Sequence, residues 1–156
     1  MSSYLFDQLR FVRSSTLKLV DGLENERSEI IPAPLNNHIK WNLGHIYFIH
    51  ERNAFQFVKE KEDWIMPESF PSLFSPGTKP ANRQKMPVDF SEIVHLMENQ
   101  IDRIETTFKE RLKEKTEPYT TSMGLHLSTV EEFLSCCLYH EGMHLERINV
   151  IRKLLT

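Results

Sequence analysis

Apolar residues recur every three or four positions in four separate segments of the chain, which is the period of an amphipathic helix. The first segment runs from Leu5 to Leu23, and its helix is expected to end near residues 24–28. In the third segment the apolar positions run from Ile93 to Leu112. We find no stretch that alternates apolar and polar residues as a half-buried strand would. The pattern therefore predicts an all-α fold.

The second segment is expected to form a helix that begins at an Asn36 or Asn37 cap and runs to about Lys61. A long connection follows, from about Glu62 to Pro87, and it contains five prolines. Proline lacks the backbone N–H that a helix interior needs, and long irregular connections inside a compact domain are usually functional. We expect a crossover between the second and third helices that covers one end of the fold.

Two of the predicted helices start with sequences that resemble a capping box. The third starts at residues 89–92 (DFSE), and the fourth starts at residues 128–131 (STVE). With 156 residues, 40% of them hydrophobic, the chain has enough apolar material for one core. Four amphipathic helices in a single domain over residues 1–156 predict a four-helix bundle.

Two histidines lie on the apolar face of the fourth helix. His140 and His144 are four residues apart and therefore project in the same direction, one turn from each other. The other positions on this face are all apolar or cysteine: Phe133, Cys137, Ile148, Ile151 and Leu155. Neutral imidazoles that are buried without partners are costly. A divalent metal ion would satisfy both rings, and hydrogen bonds to neighbouring side chains are the alternative.

Residues 140–144 (HEGMH) match the H-E-x-x-H pattern of zinc peptidases, in which the glutamate activates a metal-bound water. The wider context differs from that class. Arg147 and Val150 stand where the longer metzincin pattern has a glycine and a third histidine, and only twelve residues follow His144. A third ligand is therefore expected upstream. Glu141 is either a catalytic base or a solvated residue at the edge of the site.

His45 is the strongest candidate for the third ligand, because it lies with Trp41 and Phe48 on the apolar face of the second helix. Three imidazoles leave at least one coordination position open, as in reactive metal sites. Zinc and nickel suit imidazole best, and iron is also compatible. The other histidines are expected at a helix cap, on another helix face or in a loop, with His126 as a reserve ligand: His38, His50, His95 and His126.

Two further residues near these histidines each have two interpretations. Cys137 lies one turn before His140 and either approaches the metal or fills the core as a small apolar side chain. Arg52 lies on the extended His45 face, where it either meets an anionic group of a substrate or remains an exposed or ion-paired arginine.

Composition and net charge narrow the classes of partner that this protein is expected to bind. Lys and Arg total 19 against 22 for Asp and Glu, which gives a net charge of -3 without a basic stripe. This argues against nucleic acid and against an anionic membrane surface. The two cysteines, Cys136 and Cys137, are adjacent on a predicted helix and cannot pair with each other, and no segment has the roughly 20 apolar residues of a membrane span. We expect a cytoplasmic protein.

The chain resembles the DinB-like superfamily of small metal-binding helical proteins. The matching segments are residues 39–46 (IKWNLGHI), residues 74–80 (FSPGTKP) and residues 140–144 (HEGMH). The first segment also resembles the segment KWHLAH in the N-terminal domain of ergothioneine-type sulfoxide synthases. Asn42 stands at the earlier histidine of that segment, and His45 matches its ligand.

The resemblance implies a four-helix fold, a metal bound by His45, His140 and His144, and pairing into a homodimer. Members of the superfamily include transferases and isomerases that use thiols such as bacillithiol, mycothiol or glutathione. An open position on a metal ion can hold such a thiol as thiolate at neutral pH. We therefore expect a metal-dependent, bacillithiol-type S-transferase that acts on a small-molecule electrophile. The alternatives are a metal-dependent hydrolase with Glu141 as base, and a non-catalytic, metal-stabilised dimeric stress-response protein.

Overall fold

A computed structural model describes residues 3–60, 64–80 and 85–156. These residues form four long helices, two short helices and one small hairpin. The long helices are α1 (Tyr4–Val20), α3 (Ile39–Phe55), α5 (Phe90–Phe108) and α6 (Val130–Leu154), the short ones are α2 (Asn25–Ser28) and α4 (Phe70–Phe74), and the strands are β1 (Lys115–Thr120) and β2 (His126–Thr129). The prediction of a predominantly helical, all-α class is confirmed. The prediction of no strands is wrong.

The four long helices enclose the core. Both α1 and α3 pack against α5 and α6. The central helix is α3, since sixteen of its 17 residues are buried. One apolar cluster surrounds the first half of α3, and a second surrounds its end together with α1, α5 and α6. Within the described parts of the chain, no helix combines the length and apolar character that crossing a bilayer requires.

The bounds of α1 and α3 differ from the predicted ones. The first helix ends at Val20, because Gly22 adopts a φ of 71° and turns the chain before the separate helix α2. The cap of α3 is His38 and not an asparagine: its Nδ1 accepts a hydrogen bond from the N–H of Trp41 at 3.0 Å. The helix ends at Phe55, well before the predicted limit at Lys61, which lies outside the described residues.

The backbone that follows α3 pairs with the hairpin that the sequence did not reveal. The carbonyl of Phe57 accepts a hydrogen bond from the N–H of Glu117, and Val58 forms an isolated bridge with Thr116. In the hairpin, β1 and β2 are antiparallel and Tyr119 lies opposite Leu127. Strands of six and four residues are too short to show a clear alternation in sequence.

Helix capping follows the predicted type at α6 but not at α5. A capping box closes the start of α6, formed by Thr129 and Glu132, one residue later than predicted. Asp89 is the N-cap of α5, but its side chain makes no capping hydrogen bond. The N–H of Phe90 donates to the side-chain oxygen of Asn25 in the preceding short helix at 3.0 Å. A partner from α2 therefore takes the place of the predicted box.

The predicted crossover joins α3 to α5, and its short helix α4 is docked on α3. The indole N–H of Trp41 donates to the carbonyl of Leu73 at 2.9 Å. The ring of Phe74 packs directly on Gly44, where a Cβ atom would lie 2.3 Å from the ring. Only glycine leaves room for this approach, since real Cβ contacts do not come so close. The crossover therefore rests on the same turn of α3 that carries His45.

Replacing Gly44 with alanine should displace α4. The new methyl group must push Phe74 out of its buried position, which we expect to cost about 1–3 kcal/mol of unfolding free energy. Gly142 is a matched control, because it also lies in a helix but has no atom within 4 Å of an added Cβ. Gly142→Ala should be neutral or stabilising by up to about 1 kcal/mol. Urea denaturation measures both values, and equal stability of the two variants would contradict the docking argument.

Candidate metal centre

The three predicted ligands lie together. His45 comes from α3, and His140 and His144 come from successive turns of α6. Their ligand nitrogens all lie within 4.8 Å of one another. The Nε2 atoms of His45 and His140 are 3.1 Å apart. Two nitrogens bound to one tetrahedral ion at about 2.0–2.1 Å would be roughly 3.3 Å apart, so this spacing fits a shared cation.

Two of the imidazoles are held by hydrogen bonds at Nδ1. His45 Nδ1–H donates to the carbonyl of Phe74 at 2.5 Å, and His144 Nδ1 contacts Asn42 Oδ1 at 2.8 Å. The amide of Asn42 is itself fixed, since its Nδ2 donates to the carbonyl of His38 at 2.8 Å. Asn42 Oδ1 must therefore accept from His144. Both rings then carry their proton at Nδ1 and present an unprotonated Nε2, the arrangement of metal-ligating histidines.

The ring of His45 is further fixed by stacking. The indole of Trp41 lies nearly parallel to it, with ring centres 4.6 Å apart and an angle of 12° between planes. His140 is held less firmly, because its Nδ1 is buried and has no hydrogen-bond partner in the described part of the chain. The donor set as a whole is three nitrogen atoms from neutral rings, and it fits a divalent ion such as zinc or nickel. These three histidines could therefore hold a metal ion.

Burial keeps the three imidazoles neutral. Desolvation, together with the neighbouring histidines, lowers the pKa of His140 to about 2. Desolvation is also the main cause that lowers the pKa of His144 to about 4, and it lowers the pKa of His45. Protonation therefore does not compete for the nitrogen lone pairs near neutral pH.

A pocket of about 450 Å³ opens beside the histidines. His45 and His140 lie in its wall, and the hairpin supplies much of the remainder. Three elements supply further lining residues: Ile49, Arg52 and Asn53 from α3, Tyr119, Met123 and Leu125 from the hairpin region, and Cys136, Tyr139 and Met143 from α6. A ligand in this pocket would reach the nitrogen cluster from one side, and the hairpin that sequence reasoning missed would enclose it.

Glu141 does not lie at the solvated edge of the site, so that interpretation is wrong. Its carboxylate is fully buried and accepts hydrogen bonds from Arg13 Nε at 3.0 Å and from Thr16 Oγ1 at 2.9 Å. His50 Nε2 lies 3.3 Å from the same carboxylate. These contacts join α6 to α1 and α3. The catalytic role of Glu141 stays a prediction, and its oxygens are already engaged by partners inside the core.

Cys137 and His50 also belong to the core. The pKa of the Cys137 thiol is raised by burial, and the side chain fills an apolar cluster. Burial, followed by the charge of Arg13, lowers the pKa of His50, whose Nε2–H donates to the carbonyl of Cys137 at 3.2 Å. The reserve ligand His126 is exposed on β2 and lies outside the histidine cluster.

Sequence reasoning missed two residues that shape the site. Asn42 orients His144, and its signal was its position three residues before His45, where the resembling segment KWHLAH has a histidine. Arg13 holds Glu141, and an arginine between Val12 and Thr16 was the corresponding signal on α1. Neither signal distinguishes a buried polar contact from a surface side chain without the partner helix.

Asn42→Ala should weaken metal binding without removing a ligand. Loss of the acceptor for His144 Nδ1–H frees the ring to rotate, and such losses cost about 10–100-fold in metal affinity. Asn99→Ala is the matched control, because Asn99 is an exposed helical asparagine whose side chain donates to the carbonyl of His95 in its own helix. Competition with a chromophoric chelator measures both affinities. Equal affinity in the two variants would remove Asn42 from the site.

The metal-free protein should lose stability in mild acid. Unfolded histidines titrate near pH 6.5, whereas the folded pKa is about 4 for His144 and about 2 for His140. Below about pH 6.5 the unfolded state binds more protons, so the free energy of unfolding falls as the pH drops toward 4. His144→Gln should reduce this pH dependence, and His95→Gln, at an exposed histidine outside the cluster, is the matched control. Urea denaturation midpoints, measured between about pH 6.5 and 4 with chelator present, test the predicted loss of stability. A midpoint that stays constant over this pH range would contradict the prediction.

The fold and the histidine cluster define a helical protein with a candidate metal centre of three imidazoles. A family model described as the DinB superfamily matches residues 8–148. The chain belongs to the DinB superfamily, which confirms the resemblance drawn from its motifs. A crystal structure titled as the conserved protein of a locus from Enterococcus faecalis is similar, with a TM-score of 0.61 and 12% identity, over 99% of this chain and 98% of that one. That likeness concerns the fold alone. No curated protein matches the chain.

Proposed function

We propose that this protein is a metal-dependent S-transferase that uses a low-molecular-weight thiol of the bacillithiol type and a small-molecule electrophile. The proposal includes a zinc or nickel ion held by His45, His140 and His144. The observation that carries it is a pocket that reaches a cluster of three neutral imidazoles, two of which are oriented by hydrogen bonds at Nδ1. A purely structural metal site would be closed by a fourth side chain, and among the described residues no further cysteine, histidine or carboxylate joins the cluster.

The protein's own thiols are poor nucleophiles, which favours a thiol supplied from outside. Burial raises the pKa of both Cys136 and Cys137. Nucleophilic attack requires the thiolate, so neither side chain is activated at neutral pH. A bound divalent ion would supply this activation by stabilising the thiolate of a cosubstrate.

The residues of the chain have distinct tasks in such a reaction. Asn42 and the carbonyl of Phe74 keep the protons of His144 and His45 at Nδ1. The buried apolar side chain of Ile49 lines the pocket and would keep water from that part of its wall. In the transfer itself a sulfur–carbon bond forms to the electrophile, and the leaving group departs with the electron pair of the broken bond.

Hydrolysis is a weaker alternative. It would require Glu141 as a base toward a water molecule, and this carboxylate is already bonded to Arg13 and Thr16.

A homodimer remains a prediction, supported by exposed apolar residues on one face of α6: Tyr139, Met143, Val150 and Leu154.

The test compares metal content and thiol conjugation. Wild type purified with zinc or nickel should contain about one ion per chain, and His45→Ala should lose at least about tenfold in affinity because one of three ligands is gone. His126→Ala is the control, since this exposed histidine lies outside the cluster. Conjugation of bacillithiol, glutathione or cysteine to a generic electrophile such as monochlorobimane should require the metal and His45.

Three results would count against the proposal. Full metal occupancy in His45→Ala would reject His45 as an essential ligand. A metal-loaded wild type that conjugates no thiol, yet hydrolyses esters or amides, would replace the transferase by the hydrolytic alternative. A metal-loaded protein with neither activity would favour the non-catalytic one.

A further inference from the structure

We propose that Arg52 is the anchor for a carboxylate of the ligand, so that the pocket selects a thiol that carries an anionic group at its far end. This inference rests on the proposed function, because it assigns the substrate class of the same pocket. Arg52 is the one residue of this helix that is not buried, and it lines the pocket that reaches His45 and His140.

Among the described residues, Arg52 lacks the counter-charge that the other enclosed arginines have. In the described residues, Arg13 pairs with Glu141, Arg103 pairs with Glu51, and Arg111 pairs with Glu114. No ion pair joins Arg52 to a carboxylate in residues 3–60, 64–80 and 85–156. A partly enclosed guanidinium without a counter-ion is costly in an apolar pocket, and an anionic ligand would remove that cost.

The guanidinium of Arg52 is held in place by neutral contacts. Its Nε and one terminal nitrogen, Nη2, both donate to the side-chain oxygen of Asn53, at 3.3 and 3.2 Å. The group also lies over the ring of Tyr119, with Cζ 5.4 Å from the ring centre. The second terminal nitrogen, Nη1, has no hydrogen bond to another described residue. The Nη1 end of the guanidinium therefore keeps N–H donors for a carboxylate, and these donors are already oriented before a ligand binds.

The distance between His45 and Arg52 sets the length of the ligand. Arg52 follows His45 by seven residues, which is roughly 10 Å along a helix axis. Ile49 lies between these two residues on α3 and lines the pocket, as do Tyr139 and Met143 of α6. A suitable molecule thus has a thiol at one end, an apolar middle of several carbon atoms, and a carboxylate at the other end.

Two probes of equal length test this assignment. 6-Mercaptohexanoate and 6-mercaptohexan-1-ol differ only in the terminal group. The protein is loaded with cobalt(II), so that thiol binding is followed by the thiolate-to-cobalt charge-transfer absorption. We expect the acid to bind wild type about tenfold more tightly than the alcohol, the size of one charge-assisted hydrogen bond. The preference should disappear in Arg52→Gln.

Arg147→Gln is the matched control. Arg147 is an exposed arginine whose positive charge also acts on the cluster, as one cause, after burial, of the low pKa of His144, yet it does not line the pocket. This variant should keep the preference for the acid. Loss of the preference in both variants would mean that overall charge, and not an anchor at Arg52, selects the ligand, and it would overturn the inference.

The wild-type measurement alone decides the inference if Arg52→Gln fails to fold. Equal affinity for the two probes would overturn the anchor and leave the thiol site intact. Absence of charge-transfer absorption with either probe would overturn both the thiol site and the anchor. A preference for the acid that weakens as salt is raised supports an ionic contact.

Discussion

The contact between α4 and α3 is the constraint on which the candidate site depends. At Gly44 the ring of Phe74 occupies the space that any other side chain would fill, and one residue further on the carbonyl of Phe74 accepts the proton of His45. A single residue of the crossover thus packs the core and orients a ligand. The same docking secures Trp41, which stacks on His45. The crossover is therefore part of the site, and its displacement would release an imidazole.

A second constraint positions α6. The glutamate within HEGMH, Glu141, points away from the histidines of the motif and into the core, where Arg13 and Thr16 of α1 hold it. In zinc peptidases the glutamate of this pattern faces the metal-bound water. Here the carboxylate of the same sequence pattern takes part in a buried ion pair with Arg13. Removing one partner of such a pair leaves an uncompensated charge in the core, which is strongly destabilising.

The sequence allowed the helical class and the histidine cluster to be predicted because both depend on local periodicity. His45, His140 and His144 each stood on an apolar face, and apolar faces of neighbouring helices meet. The hairpin could not be predicted, since its strand β1 is stabilised by contacts with Phe57 and Val58 after α3, which are distant from it in sequence. Glu141 was misplaced for a related reason. Its partner, Arg13, lies 128 residues away, and no pattern on α6 indicates a cation on α1.

The hairpin explains why the histidine cluster is accessible yet sheltered. Its residues wall the pocket opposite α3, and Tyr119 also supports the guanidinium of Arg52. Burial raises the pKa of both thiols of the chain, so the proposed transfer would depend on a thiol that enters the pocket. An apolar chamber with imidazoles at one end and, at the other, an arginine without a carboxylate partner among the described residues would discriminate by the two ends of its ligand. Specificity and reactivity would then be separated along α3, two helical turns apart, and could change independently.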